Sequence, residues 1–395
     1  MAHSQHNPKV LHVLHALRFS GAEVMLRLAA PTVNAQGYEQ HMLADGSEVG
    51  DYADTLAAAG FRVHHRPFKN YSIGHLWQLY RFLRQQKFTV VHNHTEQNFF
   101  WYLLVARLAG VPHLVSTVHN AFAFKGQVRM RRGLYRWIAR QLGARFTAIG
   151  PSVAQVEEIT YYNPTTLVPN WLDESYFVPA RNAEERTAAR RHYQVPDGTV
   201  VLISVGGCSA IKNHGAILEA LAALRSRVSS PLLYLHVGEG QTHLAEQKQA
   251  QELGLSDIVR FVGQLHDVRT ALLAADIYVM PSMFEGLSIS LLEALSCGMA
   301  AAVYDNYGLR DLVQDGQTGR CVPPNPQALT EALYELIESP ELRIKYGAAA
   351  RQFIQKHYSM RDSLSKLLRL YGTADPKLQE EAQPSAPPTA PIASS

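Results

Sequence analysis

Short apolar runs alternate with amphipathic stretches from Val10 almost to the end of the chain. In the first half, Val10–Leu14, His41–Ala44, Arg62–His65, Thr89–Val91, Leu114–Val118 and Phe146–Ile149 read as strands. Ala22–Ala35, His75–Gln86 and Phe99–Ala109 between them carry a helical period. The pattern then restarts: Val200–Val205, Leu232–Val237, Ile258–Phe261, Ile277–Met280 and Ala300–Val303 are strand-like, with His214–Arg225 and Leu287–Ser296 as helices. Such alternation predicts an α/β chain, with parallel strands buried under helices on both faces. Two successive doubly wound units follow. The segment Val168–Ala180 has no helical period and is punctuated by Pro169 and Pro179, which marks a joint. Expected domains are therefore 1–178 and 179–358, with a final helix over 359–372 returning to the first. The tail, 373–395, holds five prolines among Ala and Ser and reads as disordered.

A length of 395 residues suits two to three domains at roughly 150 each. Hydrophobic residues at 47% and charged residues at 18% exclude a wholly disordered chain. No run approaches the roughly 18 apolar residues of a membrane span, and the start lacks a basic region before an apolar one, so no secretory signal is expected. Cys208, Cys297 and Cys321 are widely spaced, form no metal pattern and suit a reducing cytoplasm. The net charge of +3 conceals seven Lys/Arg and no acid within Lys125–Arg145. That is a local basic surface rather than the general excess of a nucleic-acid binder.

The strongest chemical signal is Pro281-Ser-Met-Phe-Glu-Gly-Leu-Ser-Ile-Ser-Leu-Leu-Glu-Ala-Leu, running from a strand end into a helix. Gly286 permits the turn, and the amides of Leu287 and Ser288 would open the helix as an anion site. Glu285 and Glu293, if both helical, would differ by about 80° and rise about 12 Å, which suits one elongated ligand and not a glycosidase pair. Two ordinary solvated glutamates fit the same spacing. Val205-Gly-Gly-Cys-Ser-Ala-Ile-Lys presents Lys212 after a glycine turn, where it can neutralise a diphosphate or simply face solvent. His236-Val-Gly238-Glu-Gly and Phe261-Val262-Gly263 add two more glycine turns at strand ends. Together these turns describe a nucleotide pocket.

The ordered set resembles retaining glycosyltransferase family 4, the group 1 glycosyltransferases of the GT-B fold. The pieces are Gly206…Lys212-Asn, Gly238-Glu-Gly, Phe261-Val-Gly, Phe284-Glu-Gly-Leu-Ser…Leu-Glu-Ala-Leu-Ser-Cys-Gly and Gly308-Leu-Arg-Asp-Leu-Val-Gln-Asp-Gly-Gln-Thr-Gly. The first unit adds Phe19-Ser-Gly-Ala-Glu, Val90-Val-His-Asn-His, Ala109-Gly-Val-Pro, Thr117-Val-His-Asn and Val168-Pro-Asn. The resemblance implies two Rossmann-like domains facing a cleft, the second holding a nucleotide-diphosphate sugar. It implies that Lys212 meets the diphosphate, Glu285 lies by the donor sugar and Glu293 holds the ribose. The backbone of Gly286, Leu287 and Ser288 would receive phosphates, Gly21 would face them across the cleft, and His119 would sit near the reacting carbon. Gly238 and Val262 would line the base. Two departures stand out: Gly207 occupies a place often held by arginine, and the first loop reads Ser-Gly-Ala rather than Gly-Gly-Ala.

The implied enzyme is a retaining, metal-independent hexosyltransferase with a UDP-sugar donor (GDP-mannose second). It would act on a glycan or lipid-linked acceptor in surface polysaccharide or glycolipid synthesis. A catalytically silent nucleotide-sugar-binding protein and a GT-B epimerase are the alternatives. His92-x-His94 with His119 could be metal ligands, but no Asp-x-Asp accompanies them and a packed His92 fits better. Arg129, Arg132, Arg136 and Arg140 share one helical face with Trp137 at its border, either a solvated face or a surface for anionic lipid. Many family members act at the inner face of the cytoplasmic membrane, so peripheral attachment there is expected, with no cofactor and no nucleic acid.

Overall fold

The computed structural model describes residues 7–69 and 72–372; the expected tail at 373–395 lies outside them. The first domain contains β1 (Lys9–Leu14), α1 (Gly21–Ala35), β2 (Glu39–Ala44), α2 (Ala53–Ala58), β3 (Arg62–His65), α3 (Ile73–Gln86) and β4 (Val90–Asn93). It continues with α4 (Phe99–Leu108), β5 (His113–Val118), α5 (Gly126–Gln141), β6 (Ala144–Ala148), α6 (Pro151–Tyr161) and β7 (Thr166–Leu167). These strands pair in parallel in the order β3-β2-β1-β4-β5-β6-β7.

The second domain begins with α7 (Ala183–His192), β8 (Val200–Val205), α8 (Gly215–Leu224), β9 (Leu232–Val237), α9 (His243–Glu252), β10 (Val259–Gly263) and α10 (Arg269–Ala274). Then come β11 (Ile277–Met280), α11 (Ile289–Ser296), β12 (Ala300–Tyr304), β13 (Arg320–Val322), α12 (Pro326–Glu338), α13 (Pro340–His357) and α14 (Met360–Leu370). The second sheet runs β10-β9-β8-β11-β12-β13, again parallel. Both orders reverse at the first strand of the unit, between β1 and β4 and between β8 and β11. Such switch points open a crevice at the strands' carboxyl ends.

The central strands are buried on both faces, as their unbroken apolar runs require: every residue of β9, β11 and β12 is buried. Helix starts follow local chemistry. Asn325 accepts from Ala328 N at 2.8 Å with Pro326 in the first turn, and Ser339 does the same for Leu342 N at 3.3 Å ahead of Pro340. β7 and β13, two and three residues long, are edge strands too short for any alternation to announce them.

α14 leaves the second domain and packs on the first. Leu364, Leu367, Leu368 and Tyr371 are buried with Val10, Met25, Val33 and Trp171. The chain thus crosses between domains twice, at 168–180 and near Ser359. The two crossings touch: Met360 N donates to Glu174 Oε1 at 2.7 Å. Among the described residues no helix is long and apolar enough to cross a membrane.

Candidate active site

Both switch points aim their strand ends into one cleft. From the second domain, Val205 ends β8 and the Gly206–Asn213 loop follows. Gly238 after β9 is held against this loop: it has φ +141°, and a Cβ there would meet Gly206 O at 2.0 Å. Gly238 N donates to Gly263 O at 2.9 Å, which brings the loop after β10, beside Val262, into the same stack. Gly207 leaves little space, since a Cβ would already lie 3.3 Å from Glu239 O.

The loop's Lys212 reaches across to the segment that follows β11. Its Nζ lies 2.6 Å from Glu285 Oε1, both side chains being largely shielded. Ser288 caps α11, accepting from Leu291 N at 3.3 Å and, through its carbonyl, from Leu292 N at 3.1 Å. The open amides of the helix are therefore those of Ile289 and Ser290, two residues later than the expected Leu287 and Ser288. Ser290 Oγ binds Val205 O at 2.9 Å and Tyr278 OH at 2.9 Å, fixing the helix start to the end of β8. Because Glu285 precedes the cap, the helical count from Glu285 to Glu293 does not apply; only Glu293 is helical. Burial, with a smaller push from the Asp267 charge, raises the Glu293 carboxyl to about 8. Tyr278 feels the charges of both glutamates, so both carboxylates lie near the end of β11.

Gly286 and Leu287 have a further duty. A Cβ at Gly286 would lie 1.8 Å from the His119 carbonyl oxygen, so the donor-side loop meets the first domain backbone to backbone. Leu287 O accepts from Asn170 Nδ2 at 3.4 Å, and Phe284 stacks flat on Phe122 with centroids 4.7 Å apart. Ser152 N and Oγ, at the start of α6, donate to the two oxygens of Asp311 at 2.9 and 2.6 Å. That is a carboxylate on a helix N-terminus, spanning the domains. Gly21 opens α1 directly opposite α11: a Cβ there would meet Ile289 Cδ1 at 2.5 Å. Two helix N-termini converge on one space.

On the first-domain wall stands a chain of histidines. His12 Nδ1 is 3.2 Å from His94 Nε2, and His94 Nδ1 is 3.1 Å from His119 Nε2. His92 is held at both nitrogens, by Tyr371 OH and Thr117 Oγ1, each at 2.6 Å. Burial lowers His119 to about 4 and His12 to about 3, and lowers His92 and His94 as well, so the chain is neutral near pH 7. His12, His92 and His94 have ring nitrogens within 4.8 Å of one another, a set able to hold a metal ion if His92 gives up a hydroxyl partner. His119 adjoins that set through His94. His12 and Tyr371 escaped the sequence reading because one looks like a strand residue and the other lies 359 positions away.

The arginine face of α5 is corrected by the structure. Arg136 is buried, its Nε and NH2 bound to both oxygens of Glu157 at 2.7 and 2.8 Å and its NH2 also to Glu96 at 2.8 Å. Arg132 pairs with Glu96 and lies over the Phe124 ring, while Arg129 Nε binds Thr160 O at 2.9 Å. Arg132 and Arg136 turn inward because Glu96 and Glu157, distant in sequence, supply the counter-charge, while Arg129 stays exposed. Trp137 and Arg140 remain exposed, with Met130 and Leu134 beside them at 74% and 52% exposure.

Comparison with known proteins agrees with this architecture. Residues 185–353 match the family "Glycosyl transferases group 1", and residues 20–171 match the "Glycosyl transferase 4-like domain". The chain belongs to the group 1 glycosyltransferases. This glycosyltransferase is 25% identical to EpsF of Bacillus subtilis over 389 residues, covering 93% of this chain and 97% of that one. It is 26% identical over 307 residues to the UDP-Gal:alpha-D-GlcNAc-diphosphoundecaprenol alpha-1,3-galactosyltransferase of Escherichia coli, covering 75% and 78%. Its fold matches that of Anabaena HepE, solved in complex with UDP, with a TM-score of 0.76, 18% identity and coverage of 92% and 99%. The two Rossmann-like domains facing a cleft are those of a GT-B glycosyltransferase.

Proposed function

We propose that the enzyme transfers a hexose, with retained anomeric configuration, from a UDP-sugar to a lipid-linked or glycan acceptor at the membrane surface. The observation that carries this reading is the Lys212–Glu285 pair at the open end of α11, opposite His119 and Gly21. In the donor complex Lys212 turns from Glu285 to the diphosphate, where its charge and the amides of Ile289 and Ser290 stabilise the departing phosphate. Glu293, at the shielded end of the cleft, accepts from the ribose hydroxyls. The neutral His119 lies at the sugar end and can donate or accept a hydrogen bond without adding charge beside the reacting carbon. The acceptor enters from the first domain, and the leaving phosphate takes its proton. The transfer so described needs no metal ion.

The donor reading is supported by the Escherichia coli relative, named for UDP-galactose, and by the UDP bound to HepE. The same relative, named for a diphosphoundecaprenol acceptor, supports a lipid-linked acceptor. On α5, Met130, Leu134 and Trp137 form an exposed apolar stripe at i, i+4 and i+7, bordered by exposed Arg131 and Arg140. That arrangement suits an anionic bilayer surface.

Thermal stabilisation against UDP, GDP, ADP and their sugars tests the donor. A selective shift for UDP compounds is expected, with GDP and GDP-mannose as the competing outcome. Proton NMR of the transfer product then reads the anomeric configuration. A folded sample that no nucleotide stabilises would refute the pocket.

A further inference from the structure

Beneath the loop that carries Lys212, four buried side chains from four segments meet: Cys208 from the loop, His214 at the start of α8, His236 in β9 and Glu246 in α9. Their donor atoms all lie within 4.8 Å of one another. Cys208 Sγ is 3.1 Å from His236 Nε2, His214 Nδ1 is 3.3 Å from Glu246 Oε1, and His236 Nε2 is 3.7 Å from Glu246 Oε2. Around a tetrahedral zinc with bonds of about 2.0 Å to nitrogen and about 2.3 Å to sulfur, ligand atoms stand roughly 3.3–3.6 Å apart. The three separations of 3.1, 3.3 and 3.7 Å are close to such edges, and the remaining ones, all within 4.8 Å, would have to close slightly on an ion.

Hydrogen bonding among the four accounts for only part of the arrangement. Glu246 Oε2 is buried with no hydrogen-bond partner. A shielded carboxylate oxygen without a hydrogen-bond partner is costly. A divalent cation would satisfy it: with one thiolate, one carboxylate and two neutral imidazoles the assembly carries no net charge. Outer partners hold the donors in the required orientation. His236 Nδ1 lies 3.1 Å from Ser204 Oγ and 3.3 Å from Tyr234 OH, which turns Nε2 toward Cys208. Thr242 Oγ1 donates to Glu246 Oε1 at 2.6 Å. Such supports are typical of metal ligands.

We propose that Cys208, His214, His236 and Glu246 form a structural zinc site, distinct from the transfer chemistry. The cysteine spacing showed no metal pattern because three of the four ligands are not cysteines and they come from separate elements. Cys208 and His214 bracket Lys212, so the ion clamps both ends of the lysine loop to β9 and α9. The sulfur-containing donor set favours zinc over magnesium or calcium.

Elemental analysis of tag-free, full-length protein purified without chelator should find about one zinc per chain. After chelator treatment, titration with Co2+ should produce a thiolate-to-cobalt charge-transfer band together with tetrahedral d–d absorption. Cys208→Ser should abolish the thiolate band, while His94→Gln keeps it, separating this site from the histidines of the cleft. Thr242→Val, which keeps all four donors, should weaken metal affinity about tenfold or more. Folded wild-type protein that carries no zinc and gives no thiolate band under excess Co2+ would overturn the proposal, as would a band undiminished in Cys208→Ser. The wild-type measurements decide the matter even where that variant fails to fold.

Discussion

Replacing Gly286 by alanine adds one methyl group, and the structure shows what it strikes. The new Cβ would stand 1.8 Å from the His119 carbonyl oxygen and 3.2 Å from Ile149 Cδ1. Carbon and oxygen come no closer than about 3.3 Å without strain, so the facing backbones must part by roughly 1.5 Å. The obstacle is backbone and cannot swing aside as a side-chain tip could. A displacement of about 1 Å between reacting groups costs roughly 100-fold in rate, so kcat/KM should fall by about 100-fold or more, near 3 kcal/mol of transition-state stabilisation. Lys212, Glu285 and Glu293 all belong to one domain, so nucleotide affinity should stay within about twofold. The assay pairs initial rates of sugar transfer with isothermal titration of the nucleotide, on protein whose circular dichroism matches wild type. Transfer within about threefold of wild type would refute the reasoning. An equal loss of nucleotide affinity would refute it too, by putting the damage inside the donor domain.

Lys212→Ala should lower turnover by about 10²- to 10³-fold with the fold intact, measured by steady-state kinetics. Glu293 is raised toward 8 in the folded protein, whereas its unfolded value is near 4.5, so folded wild type binds the proton more tightly than the unfolded chain. Wild-type stability should therefore fall as pH climbs from 5 to 8, by up to about 3 kcal/mol, and Glu293→Gln should remove that slope in thermal melts. Arg136→Ala strands the buried Glu157 carboxylate beneath α5 and should cost about 3–5 kcal/mol, seen as a lower midpoint of first-domain unfolding. Leu134→Ser with Trp137→Ser should weaken sedimentation with phosphatidylglycerol vesicles and leave the melting temperature nearly unchanged, since both side chains are exposed.

The buried sheet was largely legible because an unbroken apolar run has few other homes. Val200–Val205, Leu232–Val237 and Ile277–Met280 appear with the expected ends. α11 starts two residues later than its apolar period implies, because Ser288 is spent as the cap. Periodicity groups Arg129, Arg132, Arg136 and Arg140 on one face but does not say which of them turn inward. That choice rests on Glu96 and Glu157, which stand 40 and 21 residues from Arg136. The same limit hid the Cys208 cluster and the Asp311–Ser152 bond between domains: each is assembled by topology, and no single window of sequence contains it.

The double passage of the chain between domains has a mechanical consequence. A body tied to another by one flexible strand can swing and twist about every direction, whereas two adjacent ties define an axle. Here the ties are fastened to each other by Glu174 and the Met360 amide, so rotation about the line through them is the soft motion and sliding or twisting across it is stiff. The cleft should then widen like a book held at its spine. Opening of that kind would part the Phe122–Phe284 stack and the Ser152–Asp311 bonds between the domains, and every turnover would have to remake them.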